Sequence, residues 1–438
     1  MLNQILAMAL RGNNMQQSTP RTRQIVAAVI GNALEWYDFV VYGFMTVIIS
    51  RLFFPTESEY ASLLLAMATF GVGFFMRPVG GILIGLYADR KGRKAALQLI
   101  IGLMTIAVAM IAFAPPYAVI GAAAPVLIVA ARLLQGFATG GEFASATAFL
   151  VESAPAERRG FFGSLQMVGQ SVAALAGASS GMFITQSLTP EQIDQWGWRI
   201  PFMIGLLIGP VGLYIRRHLE ETEVFKAAHA SVEHKTTLGA VFQIHRRAVF
   251  AAFGLVLSNT IMYYVVLIYM PTYAKTQLGI ALGQAFIAQV AGLLCLTLLT
   301  PVFGMLSDRL GRRPILIAAC ILYFVLPYPL FAWLQADPVL WRLTVMQMIL
   351  CSAIAVGFGP ISTALAEQFP AHVRSTGLAL AYNFAVMLFG GFAQLIVTWL
   401  IKTTGSPLAP AYYVMFGAVA GLSAAFFLVD RYQHKDLH

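Results

Sequence analysis

Gly85-Leu86-Tyr87-Ala88-Asp89-Arg90-Lys91-Gly92-Arg93-Lys94 returns in outline as Gly304-Met305-Leu306-Ser307-Asp308-Arg309-Leu310-Gly311-Arg312-Arg313, 219 residues later in a chain of 438. Each copy follows an apolar run of helix length and precedes another, so each is a very short loop between two helices. Gly85 and Gly304 let helix backbones approach closely, and Gly92 and Gly311 permit the tight turn. Asp89 and Asp308 fall at helix C-termini, where a carboxylate is unfavourable unless an arginine pairs with it; Arg90, Arg93, Arg309 and Arg312 are at hand. Ordinary basic loops would account for the Arg and Lys but not for the repeated Gly and Asp. The two copies read as facing parts of a conformational latch between similar halves.

Composition supports a membrane chain. Apolar residues make up 59% of the sequence and charged residues 11%, and the apolar residues form runs of about 20, the length that crosses a bilayer. A net charge of +9 would suit nucleic acid, but the positions of the charges explain it better, and no nucleic-acid partner is expected. Cys295, Cys320 and Cys351 lie inside apolar runs, which gives neither a disulfide framework nor a metal cluster. His218, His229, His234 and His245 lack metal-ligand spacing, so no metal site is expected.

Breaks at charged, Pro and Gly residues predict twelve spans, at 25–50, 61–88, 95–113, 121–151, 160–186, 199–217, 247–274, 282–306, 314–334, 341–367, 374–401 and 410–430. Of the 28 Lys and Arg, Arg77 and Arg132 lie inside spans, and only Arg51, Arg199, Lys275, Arg342 and Lys402 lie on the side away from the repeated loops. The remainder share the side of those loops, which the positive-inside rule makes cytoplasmic, together with both termini. The resulting organisation is a cytoplasmic segment 1–23, a six-helix bundle 24–217, a cytoplasmic linker 218–246, a second six-helix bundle 247–431 and a tail 432–438. A second repeat, Glu152-x-x-Pro155-Ala156-x-x-Arg159 and Glu367-x-x-Pro370-Ala371-x-x-Arg374, recurs 215 residues on and supports an internal duplication.

Charges at bilayer depth cost several kcal/mol and tend to mark function. There are five, Glu35, Asp38, Arg77, Arg132 and Glu142, all in the first half. Asn32, Glu35, Asp38 and Tyr42 fall within an arc of about 120° on the first span, and Arg132, Gln135, Thr139 and Glu142 within about 80° on the fourth. These stripes could form a structural ion-pair network, but one carboxyl more than the cations leaves an acid without a cation of its own. Desolvation favours the protonated form of such an acid, as a proton carrier requires. The arginines, whose forks match carboxylates, are candidate anion ligands. Polar candidates that could equally be interhelical glue are Gln135, Gln166, Gln170, Asn259, Tyr263, Tyr264, Asn383 and Gln394.

Taken together, the two Gly-x-x-x-Asp-Arg-x-Gly-Arg-Lys/Arg loops, the twelve spans in two halves and Arg132-x-x-Gln135-Gly136 resemble the major facilitator superfamily. Gly31-Asn32-Ala33-Leu34-Glu35-Trp36-Tyr37-Asp38-Phe39, Met76-Arg77-Pro78-Val79-Gly80-Gly81, Gly140-Gly141-Glu142 and Trp196-Gly197-Trp198-Arg199-Ile200-Pro201-Phe202 look like its metabolite:proton symporter branch. The resemblance covers about residues 24 to 430. It implies an all-α fold of twelve transmembrane helices in two pseudo-symmetric halves, in a bacterial inner membrane, as a monomer and without a cofactor.

Carriers in that branch take citrate, tricarballylate, 2-oxoglutarate, shikimate and zwitterionic osmolytes. Residues 54–60 and 186–198 are similar to the citrate carriers, while Glu35-Trp36-Tyr37-Asp38 is closer to the wider branch than to their Glu-Gln-Phe-Asp. The expected function is therefore import of a small organic anion, citrate or a related tri- or dicarboxylate, by proton symport and alternating access. Asn32, Tyr37, Arg77, Arg132, Gln135, Gln170, Asn259, Tyr263 and Asn383 are the expected substrate ligands, and Glu35, Asp38 or Glu142 the proton site. The alternative is an osmolyte such as betaine or proline, with Trp36 and Tyr37 offering an aromatic face to a cation. A channel would call for symmetric charged rings, and an efflux antiporter for a glycine pattern on the fifth span that this chain lacks. An enzyme would need a nucleophile or phosphate loop, and none is present.

Overall fold

The computed structural model describes residues 18–91, 93–140, 142–207, 210, 246–370 and 374–428. The described residues are nearly all helical, and twelve long elements follow one another in two sets of six. The first set is α1 (Ser18–Phe44 continuing as Thr46–Phe53), α2 (Glu59–Phe75 and Arg77–Lys91), α3 (Arg93–Ala112), α4 (Ala123–Ala138 and Glu142–Glu152), α5 (Arg159–Ser187) and α6 (Arg199–Gly205). The second is α7 (Arg246–Tyr263, a π-helical turn at Tyr264–Tyr269, then Met270–Gln277), α8 (Leu282–Leu310) and α9 (Arg312–Val325 and Pro327–Ala336). It continues with α10 (Leu340–Glu367), α11 (Arg374–Ala385, a π-helical turn at Val386–Gly391, then Ala393–Thr404) and α12 (Ala409–Phe427). Eight of the described helices are long and apolar enough to cross a bilayer, and α1 makes a ninth if its two arms, bent by 65°, count as one span. The expected linker at 218–246 lies outside the described residues, apart from Arg246.

Small residues decide how closely the helices pack, because lipid supplies no hydrophobic drive for helices to associate. Gly136 of α4 lies so close to the Gly73 carbonyl of α2 that a Cβ there would overlap it, and Gly80 of α2 is equally tight against Phe137. The halves meet along two helix pairs that the duplication exchanges: α5 runs along α8, and α2 packs against the π-helical turn of α11.

The molecule is closed across the halves at both ends. At the end bearing the repeated basic loops, the backbone N–H groups of Gly160 and Phe161 donate to the Asp308 carboxylate at 2.7 and 2.9 Å, and the Thr363 hydroxyl donates to the Arg159 carbonyl at 2.8 Å. At the opposite end the Phe44 and Phe286 rings meet edge to face at 6.0 Å, and the Thr398 hydroxyl donates to the Met67 sulfur at 3.3 Å. This is an occluded conformation.

Candidate functional site

Helix breaks surround the centre of the molecule. α2 is interrupted at Met76, just before Arg77, and the following Pro78 lacks the N–H that would continue the ladder. α4 is interrupted between Ala138 and Glu142, and α7 and α11 carry their π-helical turns. Irregular backbone at membrane depth is tolerated where it is buried in protein or lines a cavity. Here it lies beside two adjoining cavities.

The larger cavity, about 40 Å³, is lined by residues from both halves. Trp36, Phe143, Tyr263, Tyr264, Phe358 and Tyr382 give it an aromatic wall, and Gln170, Asn259 and Thr260 are its amide and hydroxyl groups. A smaller one, about 10 Å³, lies among Asn32, Glu35, Phe39, Arg77 and Thr139 and shares Trp36 and Phe143 with the first. These volumes suit a few water molecules.

Both arginines are buried, Arg132 completely. Neither forms an ion pair with a described residue. Instead the Arg77 guanidinium lies 5.3, 4.9 and 4.8 Å from the ring centres of Trp36, Phe39 and Phe74, and that of Arg132 lies 4.6, 4.6 and 5.0 Å from those of Phe39, Tyr42 and Phe70. Phe39 is shared by the two cations. Ring faces stabilise a cation without neutralising it, which leaves the charge available to an anion. Arg132 Nη1 also donates to Gln135 Oε1 at 2.7 Å, and Nη2 to the Phe70 carbonyl at 3.4 Å.

Several buried donors around this centre lack a hydrogen-bond acceptor among the described residues: Arg77 Nε, Arg132 Nε, Gln135 Nε2, Gln170 Nε2 and the hydroxyls of Tyr263 and Tyr264. A buried donor without an acceptor costs about 1–3 kcal/mol. The excess of donors over acceptors suits a ligand rich in oxygen acceptors.

The helix-1 stripe expected from the sequence divides among different neighbours. Asn32 and Gln166 of α5 exchange hydrogen bonds: Asn32 Nδ2 donates to the Gln166 carbonyl, and Gln166 Nε2 to Asn32 Oδ1, both at 3.1 Å. Glu35 lines the smaller cavity with Arg77. Tyr37 donates its hydroxyl to the Pro201 carbonyl at 3.0 Å. Asp38, 1% exposed, lines neither cavity; it faces Gly205 of α6, and neither carboxylate oxygen has a hydrogen-bond partner. In the second half, Asn259 accepts from the Tyr323 hydroxyl at 3.0 Å while lining the larger cavity, and Asn383 donates across the halves to the Gly140 carbonyl at 2.8 Å.

Of the expected substrate ligands, Gln170, Asn259 and Tyr263 thus line the larger cavity and Asn32 and Arg77 the smaller. Tyr37, Arg132, Gln135 and Asn383 stand behind them. The sequence reading did not single out Phe143, Phe358 or Tyr382. Aromatic residues are common in membrane helices, so no local pattern marks them.

Around the repeated loops, Gly304 lies against Gly160 and Ser164 of α5, and Gly311 has φ 93°, a conformation that favours glycine. Arg312, 2% exposed, pairs with Asp308 at 3.0 Å and Glu367 at 3.3 Å, while Arg309 is exposed. The second repeat also crosses the halves, with Arg374 Nη1 donating to Glu152 Oε1 at 2.5 Å. Gly85, Gly92 and the side chains of Asp89, Arg90, Arg93 and Glu142 lie outside the described residues.

Comparison with known proteins agrees with this architecture. The family model described as Major Facilitator Superfamily matches residues 28–392, and the chain belongs to that superfamily. It is a transporter, not an enzyme. A citrate-proton symporter of Salmonella typhi is 36% identical over 95% of this chain and 97% of its own length. A proline/betaine transporter of Salmonella typhimurium is 34% identical over 91% of this chain and 82% of its own. Among solved structures, a partially occluded inward-open xylose transporter from E. coli superposes with a TM-score of 0.77 at 18% identity, covering 94% of this chain and 99% of that one.

Proposed function

We propose that this protein imports a small organic acid anion, citrate or a related tri- or dicarboxylate, together with a proton, by alternating access in a bacterial inner membrane with both termini cytoplasmic. The observation that carries the reading is the pair of buried arginines held by ring faces and unpaired with any described carboxylate. A cation held in that way costs the protein least when an anion arrives. Arg77 is the ligand nearest the cavities, Arg132 sets the field behind it, and Asn32, Gln135, Gln170, Asn259, Tyr263 and Asn383 contribute hydrogen bonds. Tyr37 packs the helix-1 side. The citrate-proton symporter relative at 36% identity supports the substrate class.

The proton resides on Asp38, with Glu35 and Glu142 as the rival sites. Asp38 is buried without a hydrogen-bond donor, and substrate drawn to the arginines weakens the field that favours its ionised form. Proton and substrate therefore strengthen each other's binding, as reciprocal linkage requires. The bundles at 24–217 and 247–431 rock as units, and the loops at Gly85–Arg93 and Gly304–Arg312 latch the cytoplasmic end. The proton gradient supplies the energy, so no cofactor or metal is needed, and a monomer suffices.

A second reading, a zwitterionic osmolyte, has its own support. The larger cavity is walled by aromatic rings that suit a quaternary ammonium, and a proline/betaine transporter is 34% identical. Competition decides between them. Unlabelled citrate should reduce uptake of labelled citrate into energised vesicles, and betaine should not. If betaine alone is accumulated, the anion reading fails.

A further inference from the structure

Tyr382 lies in the first arm of α11, eight residues in from Arg374, and Phe143 lies in α4, nine residues short of Glu152. At about 1.5 Å per residue both are roughly 12–14 Å from the basic end of their helices. Their rings stack almost parallel, with centres 3.6 Å apart and planes 6° apart. One ring comes from each half, and both line the larger cavity. The neighbouring Asn383 donates to the Gly140 carbonyl at 2.8 Å, so α11 and α4 are pinned together at this depth. The Tyr382 hydroxyl approaches Gln170 and Arg77, two groups of the proposed substrate site. The opposite side of the cavity is closed differently, by Tyr264 against Phe70 and Phe74 at 6.1 and 5.7 Å.

We propose that Tyr382 is both the floor of the substrate cavity toward the cytoplasm and its occupancy sensor. Its ring, stacked on Phe143, blocks the cytoplasmic exit, and its hydroxyl takes the places on Arg77 and Gln170 that a substrate oxygen later claims. Substrate and the Tyr382 hydroxyl compete for the same donors. An occupied site therefore frees Tyr382 from α2 and α5, leaving the aromatic stack and the Asn383 bond as the remaining ties between α11 and α4 at the cavity. Binding at the centre is thereby linked to opening of one end through a single side chain. The competition half of this inference rests on the substrate site proposed above; the floor half does not.

The test uses full-length protein with its three native cysteines replaced and a reporter introduced by Thr260→Cys, at a residue that lines the cavity. Labelling by a membrane-impermeant maleimide is measured in inside-out vesicles, and binding of labelled citrate or betaine in purified protein. Tyr382→Leu, which loses the stack, should raise the labelling rate about tenfold, and Phe143→Leu should do the same. Tyr382→Phe keeps the stack but lacks the hydroxyl. It should label at the parental rate and bind substrate about three- to tenfold more tightly. Parental labelling in both leucine variants overturns the floor, and weaker binding in Tyr382→Phe overturns the sensor. If neither solute binds the parent protein, the substrate reading has failed, and the sensor half falls with it, while labelling still decides the floor.

Discussion

Arg132 is fully buried, and its guanidinium lies between the faces of Phe39, Tyr42 and Phe70 while one nitrogen donates to Gln135. Lysine would keep the charge but lose the planar stack and the fork. Arg132→Lys should therefore weaken substrate binding roughly tenfold or more, about 1.4 kcal/mol per tenfold, as read by equilibrium binding to purified carrier. Unchanged affinity would reduce the arginine to a point charge. Asp38 faces Gly205 so closely that a methyl group there would displace the carboxylate end rather than the helix. Gly205→Ala should thus resemble Asp38→Asn in uptake assays, with accumulation against a gradient lost in both and folded protein retained. If Gly205→Ala accumulates normally while Glu142→Gln does not, the proton site moves to α4.

At the scale of elements, α2 and α4 interlock backbone to backbone, which brings Arg77 and Arg132 to one aromatic cushion. Gly136→Ala would drive a methyl into the Gly73 carbonyl, and backbone has no rotamer by which to yield. It should cost about 1–3 kcal/mol or more, visible as a lower melting temperature in detergent. Gly102→Ala on α3 meets nothing within 4 Å and should be neutral in the same assay.

The twelve-helix fold was legible in the sequence because hydropathy runs and charged breaks are one-dimensional signals. The repeat at Gly85 and Gly304 gave the halves for the same reason. The five internal charges stood out because membrane helices seldom carry charge. Helical periodicity placed Asn32, Glu35 and Asp38 on one arc but could not say what stands opposite. The structure sends Asn32 to α5, Glu35 to the Arg77 cavity and Asp38 to α6. Tyr382 and Phe143 were invisible for a related reason: a stack between residues from different halves leaves no trace in the periodicity of either helix.

For the whole molecule the question is what holds one end shut. Asp308 accepts two backbone N–H groups at the start of α5, where the helix dipole also favours a carboxylate. Asp308→Asn would turn an amide group toward those donors or lose the charge, so transport should slow severalfold while equilibrium binding stays within a few-fold. Loss of binding as complete as in an arginine variant would place the site elsewhere. Arg374 and Glu152 join the two halves directly. Arg374→Glu alone should slow transport, and the exchanged pair Glu152→Arg with Arg374→Glu should recover part of it. The absence of any recovery would make the contact incidental.

The central claim, that a proton gradient drives an organic anion to a site built on Arg77 and Arg132, meets its most direct test in right-side-out vesicles. Labelled citrate uptake is followed with an imposed inward proton gradient, in wild type and in Arg77→Lys. The account predicts accumulation above the external concentration in wild type, collapse on adding a protonophore, and severe loss in the variant. Equilibration without accumulation, or accumulation that the protonophore leaves untouched, would contradict it.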